Sequence, residues 1–389
     1  MREQGLSRKN FDFFLTAVVA ILCICGLFMV ANATGNPPLD EELSLADKLG
    51  QMSWYYVRLN AMWIGLGIVA AGVVICFDYH LYGRLWKLIY WFSTGLLALI
   101  FILGTVRKGA QSWFIFGDRG FQPSEIAKLA LILCLAKILG DRPADTKLSA
   151  KELVVVLFRV AIPLVLILLQ PDLGTALVYI VVTVVMLFVG GAKLWHMGIL
   201  GVAGAAAVVP MWMFVMSDTQ KNRILVFLDP SLDPSGAGYN VTMAKQAVGS
   251  GQLWGKGMFA SGSMTQLDYI PEQYSDFIFA SAAETWGFVG AMALILLYAI
   301  LIFRLLWLSR QAADRFGTLI VVGVMSMMLF HVVQNIGMCL GIMPVTGIPL
   351  PFVSYGGSAM ITNMLAIGLA LNVGLRRRRM RGRSLPTIA

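Results

Sequence analysis

The sequence predicts an all-α integral membrane protein of about ten transmembrane helices, with a large ordered extracytoplasmic loop between spans seven and eight. Three observations carry that prediction. The 389 residues are 58% hydrophobic and only 13% charged, with a mean hydropathy of +0.76, outside the range of soluble domains. Apolar runs near the roughly 20 residues needed to cross a bilayer core recur along the whole chain. Lys and Arg gather in alternate connections, the asymmetry that sets orientation in a membrane.

Hydropathy windows place spans near 11–33, 54–77, 88–104, 123–139, 153–170, 173–190, 196–216, 277–303, 317–341 and 353–374. The first follows Arg2, Arg8 and Lys9, is longer than a signal-peptide core, and ends in Asn32-Ala33-Thr34, a poor cleavage site. It reads as a retained signal anchor. With the N-terminus in the cytoplasm, Arg84, Lys87, Lys137, Arg142, Lys147, Lys151, Lys193, Arg304, Arg310 and Arg315 also lie inside. Both termini are then cytoplasmic, and residues 1–389 form one polytopic domain of the inner membrane, with an outer loop at 217–276 and a basic tail at 375–389. The net charge of +9 is a topology signal in contact with anionic lipid, not a nucleic-acid footprint. Cys23, Cys25, Cys76, Cys134 and Cys339 all fall in apolar runs without a CxxC pair, so neither disulfides nor a zinc site is expected.

The outward segments are 36–52, 107–122, 217–276 and 341–352. The third is too long for a plain connection. Apolar anchors alternate there with Gly249, Gly251, Gly255, Gly257 and Gly262, which suits an ordered lid at the membrane surface. The stretch from Pro344 to Ser358 is an irregular re-entry rich in hydroxyls and glycines, tolerated at that depth only where it lines protein or a wet cavity.

Charges inside spans are costly and mark either paired interior sites or pathways. Glu125 and Lys128 are three apart at the start of the fourth span, on one helical face, as an ion pair would require. Arg159 in the fifth span is a candidate partner for a neighbouring carboxylate. Asp172, after Pro171, either caps the sixth span or meets a cation. Trp113, with Lys108 in the same segment, serves either as an interfacial anchor or as an aromatic at a site. Asp276 closes the long loop where the eighth span begins; Ser275 or Asp276 could simply cap that helix. The functional reading prevails because His80 and His196 are cytoplasmic and His331 lies within the ninth span. Proton transfer on the outer face therefore falls to a carboxylate.

Together these stretches resemble the SEDS family, the shape, elongation, division and sporulation proteins RodA, FtsW and SpoVE. The motifs are Gly109 to Trp113 with Gln122 to Lys128, Gln170 to Thr175, Thr265 to Phe277, and Pro349 to Ser358, all in family order. The wording around Thr265 and Glu272 is closest to the RodA branch. The resemblance implies a peptidoglycan glycosyltransferase polymerising lipid II during cell elongation, beside a class B penicillin-binding protein that crosslinks the strands. It implies Asp276 as the catalytic residue, with Trp113, Glu125, Lys128 and Asp172 at positions on which the family also depends; Lys108, Arg223, Glu272 and Ser354 join them as candidate substrate-binding residues. Ser112 stands where the family usually has Arg, and Tyr274-Ser275 where it has His-Thr.

On this reading Asp276 acts as general base on the acceptor's GlcNAc 4-hydroxyl, which attacks MurNAc C1 with inversion as undecaprenyl pyrophosphate leaves. Lys108, Arg223 or a divalent cation, magnesium or manganese, would neutralise the leaving group. No metal-ligand cluster is evident. Two other classes stay open: a lipid II flippase, which the intramembrane charges would suit, and a non-enzymatic scaffold for the penicillin-binding protein.

Overall fold

The computed structural model describes residues 10–35, 47, 50–107, 110–116, 119–143 and 146–377. Their backbone is overwhelmingly helical. The elements run α1 (Phe13–Thr34), α2 (Tyr55–Cys76), α3 (Tyr79–Leu103), strands β1 (Thr105–Arg107), β2 (Ala110–Phe116) and β3 (Arg119–Phe121), then α4 (Pro123–Gly140), α5 (Ala150–Leu169), α6 (Leu173–Val189) and α7 (Leu194–Pro210). A second series follows: α8 (Asp218–Leu228), α9 (Ala237–Ser250), α10 (Ile278–Arg310), α11 (Arg315–Cys339) and α12 (Gly357–Leu375). Among the described residues, eight helices are long and apolar enough to cross a membrane: α1, α2, α3, α5, α7 with its π-turn, α10, α11 and α12. Of the other two predicted spans, α6 is apolar but has only 17 residues, and α4 carries Glu125, Lys128 and Lys137.

Local chemistry sets the helix starts. Asp12, Asp78, Asp172 and Asp314 each accept a backbone N–H of their helix's first turn. Ser149 with Glu152 and Ser217 with Gln220 form capping boxes that open α5 and α8. Pro123 opens α4 at a position where its missing N–H is of no consequence.

The centre of the bundle is built from α4, α11 and α12. Over the most apolar window, 72% of α11 and 78% of α12 is buried, against 11% of α2, whose outer faces present Ile68, Val69 and Val73. A span buried on every side reads as hydrophobic all round, so its sequence does not reveal which face meets protein. Close approaches are made by glycine: a Cβ at Gly26 would lie 2.5 Å from the carbonyl oxygen of Phe352, and one at Gly67 would lie 2.6 Å from Met364. These contacts seat α1 against the 341–356 segment and α2 against α12. α7 is the opposite case, with His196 its one buried residue.

Among the described residues, the connections at one end of the bundle, the loop end, are bonded to one another. The three strands form a small antiparallel sheet in the order β1-β2-β3, pairing Thr105 with Trp113 and Phe114 with Phe121, an addition to the helical expectation. α12 begins at Gly357, not at 353, because the preceding backbone is committed elsewhere. The Leu350 N–H donates to Ser354 Oγ at 2.8 Å, the Tyr355 N–H donates to the Tyr274 carbonyl at 2.9 Å, and Phe352 holds φ +67°.

α10 is broken at Gly287, where φ is +65° and ψ −168°. The lid segment fills the break. Lys256 N–H donates to the Glu284 carbonyl at 2.9 Å and Gly257 N–H to the Thr285 carbonyl at 3.1 Å. Phe288 and Val289 donate to the Gln252 and Leu253 carbonyls at 2.8 and 3.1 Å. Interrupted helix at membrane depth survives because protein satisfies its backbone groups.

Candidate active site

The carboxylate expected to do chemistry is held by the backbone around it. Glu272 sits at φ +54°, and its carbonyl accepts the N–H groups of Ser275, Asp276 and Phe277 at 3.1, 3.0 and 3.2 Å. This one turn fixes Asp276 ahead of α10. The helix cap is Phe277 without a side-chain bond, so neither Ser275 nor Asp276 caps α10 as the sequence allowed. Ser275 Oγ turns back to Glu272 Oε2 at 3.0 Å. Asn335 on α11 donates from Nδ2 to the carbonyls of both Asp276 and Ile348, each at 2.8 Å, locking the Asp276 turn to the re-entrant segment. Ser354 Oγ donates to the Ser275 carbonyl. Across the gap, a Cβ at Gly347, whose φ is +69°, would lie 3.6 Å from Asp276 Oδ2.

Beside this turn stands a cluster of three rings: Tyr56, Tyr274 and Tyr355, with centroids 5.1, 5.3 and 5.8 Å apart. Burial, and after it the neighbouring Glu272 carboxylate and Tyr56, push the Tyr274 phenol up to about 12. It is a neutral hydrogen-bonding ring at any physiological pH and no rival to Asp276 as a base.

Glu125 and Lys128 form the buried ion pair, Oε1 to Nζ at 2.9 Å, with side chains 6% and 3% exposed. The lysine's second partner is His331 Nε2 at 3.2 Å. His331 and Asn335 are one turn apart on α11, so a single helix face carries both the partner of Lys128 and the clamp on Asp276. Asp172 caps α6 through the Thr175 N–H at 3.0 Å and also accepts Thr175 Oγ1 at 2.8 Å and Gln122 Nε2 at 3.0 Å. Gln122 N–H in turn meets Ser358 Oγ at 3.1 Å. Trp113 lies over Gly120, where a Cβ would come within 2.8 Å of the ring, next to that network. A Cβ at Gly174 would lie 2.8 Å from the Thr346 carbonyl, so the start of α6 abuts the re-entrant segment.

Trp113, Glu125, Lys128, Asp172, Glu272, Ser354 and Asp276 are thus gathered at the loop end. Lys108 lies outside the described residues. Arg223 is half-buried on α8, which packs chiefly on α9 and the turn Pro230–Leu232, and it makes no ion pair among the described residues. Arg159 finds no carboxylate there either; its guanidinium lies 5.9 and 5.8 Å from the rings of Trp86 and Trp91, a cation–π arrangement that keeps the charge at the aromatic periphery. Several buried polar atoms have no protein partner, among them Glu125 Oε2, Tyr179 Oη, His331 Nδ1, Asn335 Oδ1 and Thr346 Oγ1. Buried polar groups demand partners, so these atoms offer bonds to water or to a substrate.

Sequence reasoning passed over a charged residue deep in a span. Glu284 of α10 is fully buried, and the signal was present: an acidic residue seven positions into an apolar helix is exceptional in itself.

An apolar multi-helix frame with a carboxylate, a buried ion pair and an aromatic cluster at one end defines a membrane protein equipped for polar chemistry at the bilayer boundary. Residues 13–379 match the cell cycle protein family of FtsW, RodA and SpoVE, and the chain belongs to it. The peptidoglycan glycosyltransferase MrdB of Escherichia coli K12 is 38% identical over 315 residues, covering 81% of this chain and 84% of that protein. Stage V sporulation protein E of Bacillus subtilis is 35% identical, covering 93% and 96%. Among solved structures, a chain of a peptidoglycan synthase complex that coordinates polymerization and crosslinking superposes with a TM-score of 0.75 at 31% identity, covering 94% of this chain and 97% of that one. The rod shape determining protein RodA of Thermus thermophilus gives 0.68 at 28% identity, covering 95% and 98%.

Proposed function

We propose that this chain, a peptidoglycan glycosyltransferase by its kinship, polymerises lipid II at the outer face of the cytoplasmic membrane during cell elongation, with Asp276 as general base. The observation that carries the reading is the Asp276 turn, tied by Asn335 and Ser354 to the re-entrant segment at the end of the bundle that also holds the Glu125–Lys128 pair and the Asp172 network. Asp276 takes the proton of the acceptor's GlcNAc 4-hydroxyl as that oxygen bonds to MurNAc C1. The bond from C1 to the pyrophosphate oxygen breaks, undecaprenyl pyrophosphate departs with the electron pair, and the configuration at C1 inverts. A positioned base supplies about 10²–10⁴-fold. Lys128, and with it Lys108 and Arg223, are the candidate cations for countering charge on the leaving group.

Among the described residues no cluster of three or more His, Cys, Asp and Glu could hold a metal ion. A resident metal therefore does not fit this donor set. Magnesium or manganese is assigned instead to the pyrophosphate, since such ions bind through one or two carboxylates together with substrate oxygens. A class B penicillin-binding protein is the proposed partner, receiving the strands for crosslinking.

The buried Glu125–Lys128 pair is the feature that favours a flippase instead. The decisive assay gives the purified protein labelled lipid II, with and without the transpeptidase, beside Asp276→Ala. Polymer from the unsubstituted protein and none from the variant is expected; polymer that persists in Asp276→Ala removes the base. Translocation of labelled lipid in liposomes without any polymer would establish the flippase.

A further inference from the structure

The buried carboxylate of Glu284 has no place in the chemistry above, yet it is among the most heavily bonded groups described. Five donors converge on its two oxygens. Oε1 accepts Lys256 Nζ at 2.8 Å, the Met264 N–H at 2.8 Å and Ser250 Oγ at 3.2 Å; Oε2 accepts the Thr265 N–H at 2.9 Å and Thr265 Oγ1 at 2.7 Å. These donors come from three separate places in the lid: the end of α9, the turn that enters the α10 break, and the loop leading to Asp276. A fully buried ion inside a span is tolerated only with such complete pairing.

From Thr265 the contacts continue to the site. The Thr265 carbonyl accepts Gln273 Nε2 at 3.0 Å, and the same amide donates to the Ala33 carbonyl at 3.0 Å and to Asp268 Oδ1 at 3.1 Å. Gln273 is bonded in chain to Glu272, whose carbonyl holds the Asp276 N–H. From Asp276 the chain enters α10, whose first two turns, Ile278 to Thr285, are buried throughout and return to Glu284. Eight residues of helix make a stiff strut of about 12 Å. The contacts therefore close a ring: Glu284 to Thr265, to Gln273, to the Asp276 turn, and along α10 back to Glu284.

We propose that Glu284 is a positioning residue for Asp276: its carboxylate is the clasp that closes this ring and sets where the base stands relative to the re-entrant segment. The inference rests on the reading of Asp276 as the base. Opening the clasp leaves the lid attached at both ends but free to shift, and a misplacement near 1 Å costs roughly 10²-fold in rate. The loss falls on turnover, since Glu284 touches neither the Glu125–Lys128 pair nor Asp172.

The test uses Glu284→Gln in the full chain, whose amide has the carboxylate's shape but turns an N–H₂ toward donors. Trypsin supplies a readout independent of activity, because Lys256 is itself a cleavage site and is engaged by the clasp. The expected result is cleavage after Lys256 about tenfold faster, with kcat for lipid II polymerisation about 10²-fold lower and KM within about twofold. Ser250→Ala removes the longest of the five bonds, made by a hydroxyl that also bonds the Ala247 carbonyl at 2.9 Å, and should behave as the unsubstituted protein. If Glu284→Gln does not fold, Thr265→Val removes a single hydroxyl and should shift both readouts in the same direction by less. Unchanged cleavage, or faster cleavage at full kcat, overturns the inference. Should the unsubstituted protein make no polymer while Glu284→Gln is cut quickly, the glycosyltransferase reading is what fails, and the positioning role with it, while the clasp as a structural tie stands.

Discussion

At the scale of single residues, Lys128 and Tyr274 make separable predictions. Lys128 is a buried ammonium held by Glu125 and by a ring nitrogen of His331. Lys128→Met leaves the Glu125 carboxylate buried without its cation and should cost about 3–5 kcal/mol of stability. Glu125→Gln combined with Lys128→Met should recover most of that loss in thermal unfolding and none of the polymerising activity, which separates the pair's structural value from its chemical one. Tyr274 carries a pH dependence whose sign is fixed by its upward shift. The neutral phenol is favoured in the folded state, so its contribution is complete below the ordinary tyrosine value of about 10, and is lost as pH climbs toward about 12. Thermal unfolding followed from pH 8 to about 11 should show an alkaline decline that is shallower in Tyr274→Phe than in the unsubstituted chain. Equal declines would place the shift elsewhere.

At the scale of elements, what the sequence disclosed depended on whether the physics was local. Every predicted span coincides with a helix, because a run of apolar residues near bilayer length has few alternatives. The Glu125–Lys128 pairing and the Asp172 cap were equally readable, one from a three-residue spacing and the other from a proline break. What escaped depends on partners distant in sequence. Asp276 sits ahead of α10 instead of capping it because the Glu272 carbonyl and Asn335 claim the turn, and no short-range signal announces Asn335, 59 residues away. Arg159 lies against tryptophans where a carboxylate was expected. The break at Gly287 is the clearest case. Glycine within an apolar helix is ordinary, and only the arrival of the 252–257 segment turns this one into a fixed interruption. Gly287→Ala would force a side chain into a φ of +65°, with its Cβ 2.2 Å from the Gly255 nitrogen. That contact cannot relax without expelling the segment, so the variant should lose more than about 2 kcal/mol of stability and show raised proteolysis between residues 250 and 262.

At the scale of the whole molecule, the proposal needs the loop end outside the cell, where lipid II presents its sugars, and the basic connections inside. Charge distribution supports that orientation: Arg142, Arg304, Arg310, Arg315, Arg376 and Arg377 all lie at the end opposite the Asp276 turn. The prediction can be read chemically in intact cells. Trp254, 79% exposed in the lid, is a fit site for a single introduced cysteine, and Arg310, at the far end of α10, is its counterpart. Of the five native thiols Cys76 is exposed and Cys25 half-buried, so Cys76→Ser with Cys25→Ser gives a quiet background. A membrane-impermeant maleimide should label Trp254→Cys in intact spheroplasts and Arg310→Cys only after permeabilisation. The reverse pattern would put Asp276 in the cytoplasm, away from the leaflet where strands are built, and the roles assigned to Asp276, Glu125, Lys128 and Asp172 would fall together, because these residues share one end of the bundle.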